Sequence, residues 1–502
     1  MHGHGDPAGR ARAWDGRPMS PVVVVGAGLG GLAAAVHLAA AGRQVTVVEA
    51  LDEPGGCCGT ARLGPFRFDT GPSVLTMPGV LAEVFGAAGQ ELRHWLPLRR
   101  LDPSYRMVFD DGSRLDVLPG REAMAEQVRT VCGPAEAARY ERYRALLDEL
   151  FRVEWPAFID ADMTRLRSLA RPAALLRLAR LGGFRRLDRL AARYLRDPRL
   201  IKAHTFQSLY VGLAPQRALG IYAVIAHMDT VGGVYFPRRG GMHAIPSAMA
   251  ALLAKLGADI RYGARADKVE TDSDGVTGVL LAGGERLAAR QVVVACDRLA
   301  ARRLLPGPAA DWRLRRPHHS PSCLVLHVGL DRPLDGQAHH TLHFGRAWRE
   351  TFTALAAGRP QPDPSLLITH PEPDGEAAPP GQATLSVLEP APNLRTADWE
   401  RLRPELETRL LGRLAALGHG DLSGAPRLVL DPPAWAARGH SAGTPFALDH
   451  RFTQTAWLRP SAVARRVPGL HFAGMYTAPG VGIPPVLISG RLAAERILKE
   501  AR

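Results

Sequence analysis

The sequence predicts an α/β fold, and three observations predict it. A short β-branched run, Val22 to Val25, is followed at once by Gly26, Gly28 and Gly31. An Ala-rich helical stretch from Leu32 to Ala41 comes next and is stopped by Gly42. A second β-branched run, "QVTVVEA", then carries an acid, Glu49, at its end. Strand, glycine turn, helix, strand and acid in that order open a Rossmann-like, parallel-sheet domain.

Each part of this unit has a physical task. Gly26 permits the tight strand-to-helix turn, Gly28 lets backbone approach a pyrophosphate, and Gly31 allows close packing of helix on strand. The helix N-terminus offers free N–H groups and partial positive charge to phosphates. Glu49 stands 18 residues after Gly31, where an acid bonds ribose hydroxyls. A membrane span needs about 20 apolar residues. Residues 22 to 41 approach that length, but the glycine turn and the second strand argue for a buried βαβ unit. His37, within the helix, reads as a packing or helix-surface residue.

The 502 residues, 46% of them hydrophobic, suffice for a large core and two or more domains. The net charge of +14 comes almost wholly from arginine. Biased codon usage in a GC-rich genome explains such basicity as well as an anionic membrane surface does, and no binding fold or aromatic-interleaved patch supports nucleic acid. Five cysteines in so long a chain make no disulfide framework and fit a reducing cytoplasm. Residues 1–19 have no apolar core, so they read as a disordered leader rather than a secretory signal, with Met19 an alternative start.

Further elements follow in order. "LDEPGGCCGT" brings a second glycine pair, Gly55 and Gly56, just past the acid. "YRMVFDDGSRLDVL" (105–118) reads as a hairpin turning at Asp111-Gly112. Residues 121–229 read as mostly helical. Residues 257–297 return to strands with "SDG" as a turn, and Val292 to Ala295 is a buried strand. Residues 301–440 are mixed, with strand-like runs such as "SCLVLHVGL" and "SLLITH". "LHFAG" is a strand, Gly474 to Gly482 a backbone-exposing loop, and Pro484-Pro485 the opening of a helix reaching about Leu498.

The glycine pair followed by "FRFDTGPSVLTMP" resembles FAD enzymes related to amine oxidases, and more specifically bacterial phytoene desaturases. "FQSLYVGLAPQRALGIYAVIAHMDTVGGVYFPRRGGMHAIPSAM" (206–249), "HVGLDRPLDGQAHHTLHFG" (327–345) and "LHFAGMYTAPGVGIPPVLISGRLAAERIL" (470–498) resemble further blocks of that family, in order along nearly the whole chain. The resemblance implies FAD as cofactor. It implies a discontinuous FAD-binding domain of residues 20–100, 236–300 and 452–502. A mixed-sheet substrate domain then takes 101–120 and 301–451, and a helical, membrane-associating subdomain 121–235.

For the cofactor, the resemblance implies Gly26, Gly28, Gly31, Glu49, Gly55 and Gly56, with Val269 beside the adenine through its backbone, and Gly474, Gly482 and Ile483 at the flavin ring. The family commonly has Arg after the glycine pair, where this chain has Cys57 and Cys58; Arg62 or backbone N–H groups then take over. The cysteine pair also admits a metal or redox reading, but no other Cys or His clusters with it, and no metal site is expected.

"TRLRSLARPAALLRLARLGGFRRLDRLAARYLRDPR" (164–199) holds eleven Arg and two Asp, with leucines at helical spacing and breaks at Pro172 and Gly182-Gly183. It reads either as a solvated basic face or as an amphipathic membrane-surface element. The membrane reading places the protein peripherally on the inner face of the cell membrane, beside a membrane-dissolved carotenoid. Assembly as a homo-oligomer stays open.

The chemistry implied by the resemblance is loss of a hydride to flavin and of a proton from the neighbouring carbon, stepwise from phytoene towards lycopene. The polyene spreads the allylic charge, so no strong base is required. Asp160 and Asp162 are candidate proton acceptors, with helix capping as the other reading. His339 and His340, in "QAHH", are further candidates, with structural roles as the other reading. Alternatives are a desaturase or oxygenase of another carotenoid, an amine-oxidase-like enzyme, and a non-catalytic carotenoid- or FAD-binding protein.

Overall fold

The run Val22–Val25 (β1) forms the middle strand of a five-stranded parallel sheet in the computed structural model, which describes residues 21–334, 336–371 and 376–500. The expected leader, residues 1–19, lies outside the described residues. β1 lies between Val45–Val48 (β2) and Gln291–Val294, with Val22 opposite both Val45 and Gln291. Asp259–Arg261 and Leu470–Phe472 complete the edges, so three distant stretches of chain share one sheet.

β1 is valine throughout because both of its faces are buried. Val22 and Val24 pack into the core that holds the helix Leu29–Ala40 (α1). Val23 and Val25 face Val269, Val276 and Val279 of a separate three-stranded antiparallel sheet. That sheet turns at Gly275, in the "SDG" of the sequence, with φ +128°.

α1 is buried along nearly its whole length, since the C-terminal helix, Ile483–Glu500, covers its other side. Small residues let the two backbones touch. A Cβ added to Gly490 would stand 2.3 Å from the Gly30 carbonyl oxygen and 2.8 Å from the Ala33 Cβ.

The second large sheet has seven strands. Ser322–Leu330, buried at every position, lies between Arg427–Leu430 and Ala383–Ala391. Leu366–Thr369 and His340–His343 continue it to the hairpin Tyr105–Val108 and Arg114–Val117. All pairings are antiparallel except His340–His343 with Tyr105–Val108. The hairpin thus joins a sheet whose other strands come from beyond residue 320.

Between the hairpin and residue 231 the chain is helical, as the sequence expects. The helices include Arg121–Cys132, Pro134–Glu154, Pro172–Leu181, Leu187–Tyr194 and Ala223–Thr230. Pro172 opens one of these, and Gly182, at φ +84°, closes it. No helix among the described residues is long and apolar enough to cross a membrane.

Candidate functional site

Three backbone turns converge on the N-terminus of α1. The first follows β1. Gly26 takes φ +104°, and a Cβ on Gly31 would stand 2.0 Å from the Gly26 carbonyl oxygen. α1 starts from Gly28 with no side chain capping it, which leaves its first N–H groups for an anion. Glu49 ends β2 in a buried position. Its Oε2 accepts the Ala27 N–H at 2.7 Å and its Oε1 the Leu51 N–H at 3.0 Å.

The second turn lies on the first. Gly55 donates its N–H to the Ala27 carbonyl at 2.9 Å and bridges to Gly28. Gly55 and Gly56 take φ +127° and +58°. A Cβ on Gly56 would stand 3.4 Å from the Gly28 Cα.

The third turn comes from the far end of the chain. The Gly474 N–H donates to Ser489 Oγ at 2.8 Å, and a Cβ on Gly30 would stand 3.1 Å from the Gly474 nitrogen. Gly482, at φ +114°, leads into Ile483, Pro484 and Pro485 at the start of the C-terminal helix. Glycine turns held at positive φ or in close backbone contact, an uncapped helix start and a buried acid fit a dinucleotide.

Arg62 is exposed on the short strand Thr60–Leu63, opposite Arg67. Val269 is buried, and its N–H already donates to the Leu304 carbonyl at 2.8 Å.

The cysteine pair faces two ways. Cys57 Sγ stands 3.4 Å from His440 Nε2, and Cys58 donates to the Met242 carbonyl at 3.3 Å. Burial, with nearby Asp297, pushes the Cys57 thiol up to about 12, and burial holds Cys58 well above its ordinary value. Both stay protonated thiols at neutral pH, which suits packing better than metal ligation or redox exchange.

Asp297 is a junction that the sequence reading missed. Its carboxylate accepts Ser441 Oγ at 2.6 Å and the Ser441 N–H at 2.9 Å. It also accepts the Tyr476 hydroxyl and the Leu299 N–H, each at 2.9 Å. It thereby ties the loop that carries His440 to the third glycine turn. The available signal was its place just past a buried strand, where parallel sheets set their polar side chains.

Next to the second turn lies a cavity of about 50 Å3 beneath the seven-stranded sheet, bordered by Gly71, Ser73, Phe236, His327 and Leu388. Its link to the turn is close: a Cβ on Gly71 would stand 1.7 Å from the Cys57 carbonyl oxygen. His327 Nδ1 and Ser386 Oγ are 2.8 Å apart, while His327 Nε2 has no partner. Burial lowers this imidazole to about 3, so it is neutral at physiological pH.

His339 packs its ring on Phe236 at 4.4 Å, and its Nδ1 is 3.4 Å from Arg99 Nη2. His340 Nδ1 is 3.1 Å from Thr369 Oγ1. Burial holds His339 well below its ordinary value and lowers His340 to about 3. Phe236 borders the cavity; neither histidine does.

Asp160 and Asp162 take the helix-anchoring role instead of facing this cavity. Asp160 pairs with Arg491 of the C-terminal helix. Asp162 accepts Arg496 Nη2 at 2.7 Å and caps Thr164, whose N–H is 2.8 Å away. Burial alone would raise Asp162, but Arg496 and Thr164 outweigh it and hold the carboxyl down to about 2. Both aspartates named as candidate proton acceptors are thus committed to arginines.

Comparison with known proteins agrees with this geometry. The family model of flavin containing amine oxidoreductases matches residues 29–498. A phytoene dehydrogenase of Streptomyces griseus is 46% identical over 96% of this chain and 95% of its own. A zeta-carotene-forming phytoene desaturase of Myxococcus xanthus is 34% identical over 95% and 93%. Among solved structures, an oxidoreductase from Methanosarcina mazei aligns with a TM-score of 0.60 at 17% identity, covering 95% of this chain and all of its own. A flavin held on a dinucleotide cradle is FAD. The chain belongs to the flavin-containing amine oxidoreductase family.

Proposed function

We propose that the protein is an FAD-dependent carotenoid desaturase that takes phytoene towards lycopene, stopping there or at a shorter intermediate. The observation that carries this reading is the 46% identity, along almost the whole of both chains, to the phytoene dehydrogenase of Streptomyces griseus. Each round removes a hydride from one carbon and a proton from its neighbour, leaving a new double bond. Bound FAD supplies the ring that accepts the hydride.

The chain's own residues do the rest. Gly26, Gly28, Gly31, Gly55 and Gly56 hold the phosphates by backbone, and Glu49 the ribose. Gly474, Gly482 and Ile483 receive the ring. The domain segmentation inferred from the sequence serves this division: 20–100, 236–300 and 452–502 for cofactor, 101–120 and 301–451 for substrate. The cavity under the seven-stranded sheet sets apolar Phe236, Leu367 and Leu388 around a neutral His327, with Arg67 and Asp69 also in its wall. His327 holds the departing proton at its unpartnered Nε2. A proton beside an allylic cation is acidic enough for so weak a base.

The arginine-rich stretch supports contact with an anionic membrane from which the substrate is drawn. Leu178, Leu187, Leu190 and Leu195 turn inward, while Leu166 (59% exposed), Leu176 and Phe184 stay in solvent. Arg177, Arg180, Arg185, Arg186 and Arg189 stand exposed among them. The short turn 166–169 packs against 456–458, which brings Trp457 and its neighbour Trp312 to the same area.

The test is incubation of the FAD-loaded protein with phytoene in anionic liposomes, followed by chromatography of the pigments. Coloured desaturated products are expected, and their length identifies the end product. Phytoene left intact while another carotenoid is consumed would overturn the substrate assignment. Equal turnover in neutral liposomes would overturn the membrane reading.

A further inference from the structure

We infer that Arg459 holds a fixed positive charge beneath the Gly474–Gly482 turn and thereby stabilises the anionic, reduced form of FAD. This rests on the reading that the turn receives the flavin ring. Arg459 is then a positioning residue: it touches the turn and acts through it.

Arg459 is 1% exposed, one of the largest fully buried side chains of the protein. Its guanidinium bonds only to carbonyl oxygens. Nη2 and Nε reach Met475 at 2.6 and 3.2 Å, Nη1 reaches Gln454 at 3.2 Å, and Nη2 reaches Leu448 at 3.4 Å. Among the described residues no carboxylate pairs with it. The acid within its electrostatic reach, Asp449, is taken by Arg451, with Nε at 2.9 Å and Nη2 at 2.6 Å, and by Gln454 Nε2 at 2.9 Å.

The other groups facing Arg459 carry no charge, while the Asp297 carboxylate reaches the same turn only through the Tyr476 hydroxyl, at 2.9 Å. Burial holds His450 well below its ordinary value and raises Tyr222 and Tyr476 above theirs. Burial lowers Arg459 itself only to about 10, so it stays charged at neutral pH. Among the described residues Arg459 is thus a buried cation with no carboxylate bonded to it. Interiors tolerate that poorly unless an anion comes to meet it.

The turn lies against this cation. Gly480 takes φ +131°, and a Cβ there would stand 2.2 Å from His450 Cε1 and 3.4 Å from Arg459 Nε. Gly482 then leads into the C-terminal helix, whose N-terminus adds partial positive charge at the same place. Hydride transfer brings two electrons and one proton to a neutral ring, so FAD becomes FADH− with one net negative charge. The substrate left as a cation then loses its proton. A cation under the turn that would receive the ring would favour the reduced side of that step.

The measurement is the FAD midpoint potential of the holoprotein, with a sulfite titration, for wild type, Arg459→Met and Arg459→Lys. Sulfite adds to the oxidised ring and leaves negative charge on it. Arg459→Met is expected to lower the potential by at least about 30 mV, a tenfold change in the reduced-to-oxidised ratio for a two-electron couple. Its sulfite affinity is expected to fall tenfold or more, while Arg459→Lys keeps most of both. Wild-type reduced flavin is expected to show the anionic spectrum at pH 7 and to keep it where free reduced FAD is already neutral.

Arg459→Met that binds FAD with unchanged potential and sulfite affinity overturns the inference, as does a neutral reduced spectrum in wild type at pH 7. The wild-type spectrum and the lysine variant decide the matter should the methionine variant fail to fold. Wild type that binds no FAD sinks the site reading instead.

Discussion

Replacing Gly31 by alanine tests the cradle directly. The new methyl would stand 2.0 Å from the Gly26 carbonyl oxygen and 3.1 Å from the Ala295 Cβ. Cβ atoms keep at least 3.0 Å from such neighbours, so α1 must move off β1 by 1.0 Å or more (3.0 − 2.0). It has little room to do so, because the C-terminal helix presses on its other side at Gly30. Overpacking of this kind costs about 1–3 kcal/mol, and alanine in place of helical glycine returns only about 0.5–1 kcal/mol. A net loss of about 1–2 kcal/mol in urea unfolding of the apoprotein is expected. The N–H groups aimed at the phosphates move with the helix, so FAD affinity by fluorescence titration falls about tenfold or more. Gly86→Ala is the control. It lies in the helix Pro78–Ala87 with nothing within 4 Å of its new Cβ, and gains up to about 1 kcal/mol with FAD binding unchanged. Gly31→Ala that binds FAD like wild type would refute the close-packing argument.

Two further outcomes are expected. Glu49→Ala removes an acceptor from the Ala27 and Leu51 N–H groups; bonds to a charged group contribute about 1.5–3 kcal/mol each. FAD affinity should therefore drop at least tenfold at unchanged ionic strength, and an unchanged dissociation constant would remove Glu49 from the site. His327 supplies a pH test. Its folded pKa is about 3 against 6.5 unfolded, so below pH 6.5 the unfolded chain binds the extra proton and stability falls with pH. Between pH 7.5 and pH 5 that loss is about 2 kcal/mol. Other buried acids and histidines act alike in wild type and His327→Gln, so the variant should lose about 2 kcal/mol less across this range in urea unfolding. Parallel pH profiles would show that His327 is not buried neutral.

The βαβ opening, the hairpin at Asp111-Gly112 and the helix opened by Pro484-Pro485 were legible because their signals are local. Each rests on periodicity or turn chemistry within about a dozen residues. What pairs across the chain had no such signature. Asp160 and Asp162 looked free to take a proton because their arginines lie 331 and 334 residues away. His339 drew attention as half of a histidine pair. His327, inside a strand buried at every position, offered no alternation to mark which face it takes.

Arg459 shows the same limit from the other side. Arginine is almost never fully buried unless paired, so in a chain this rich in arginine one more reads as surface. Only the fold reveals that its donors are spent on the carbonyls of Met475, Gln454 and Leu448. The charge balance of the site then becomes consistent. Where the resembling family commonly has an arginine after the glycine pair, this chain has Cys57, held as a neutral thiol. On the proposed reading, the phosphates meet uncapped backbone N–H groups at α1, which need no side-chain charge. The buried cation sits under the turn from Met475 to Gly480, the turn inferred to receive the flavin ring.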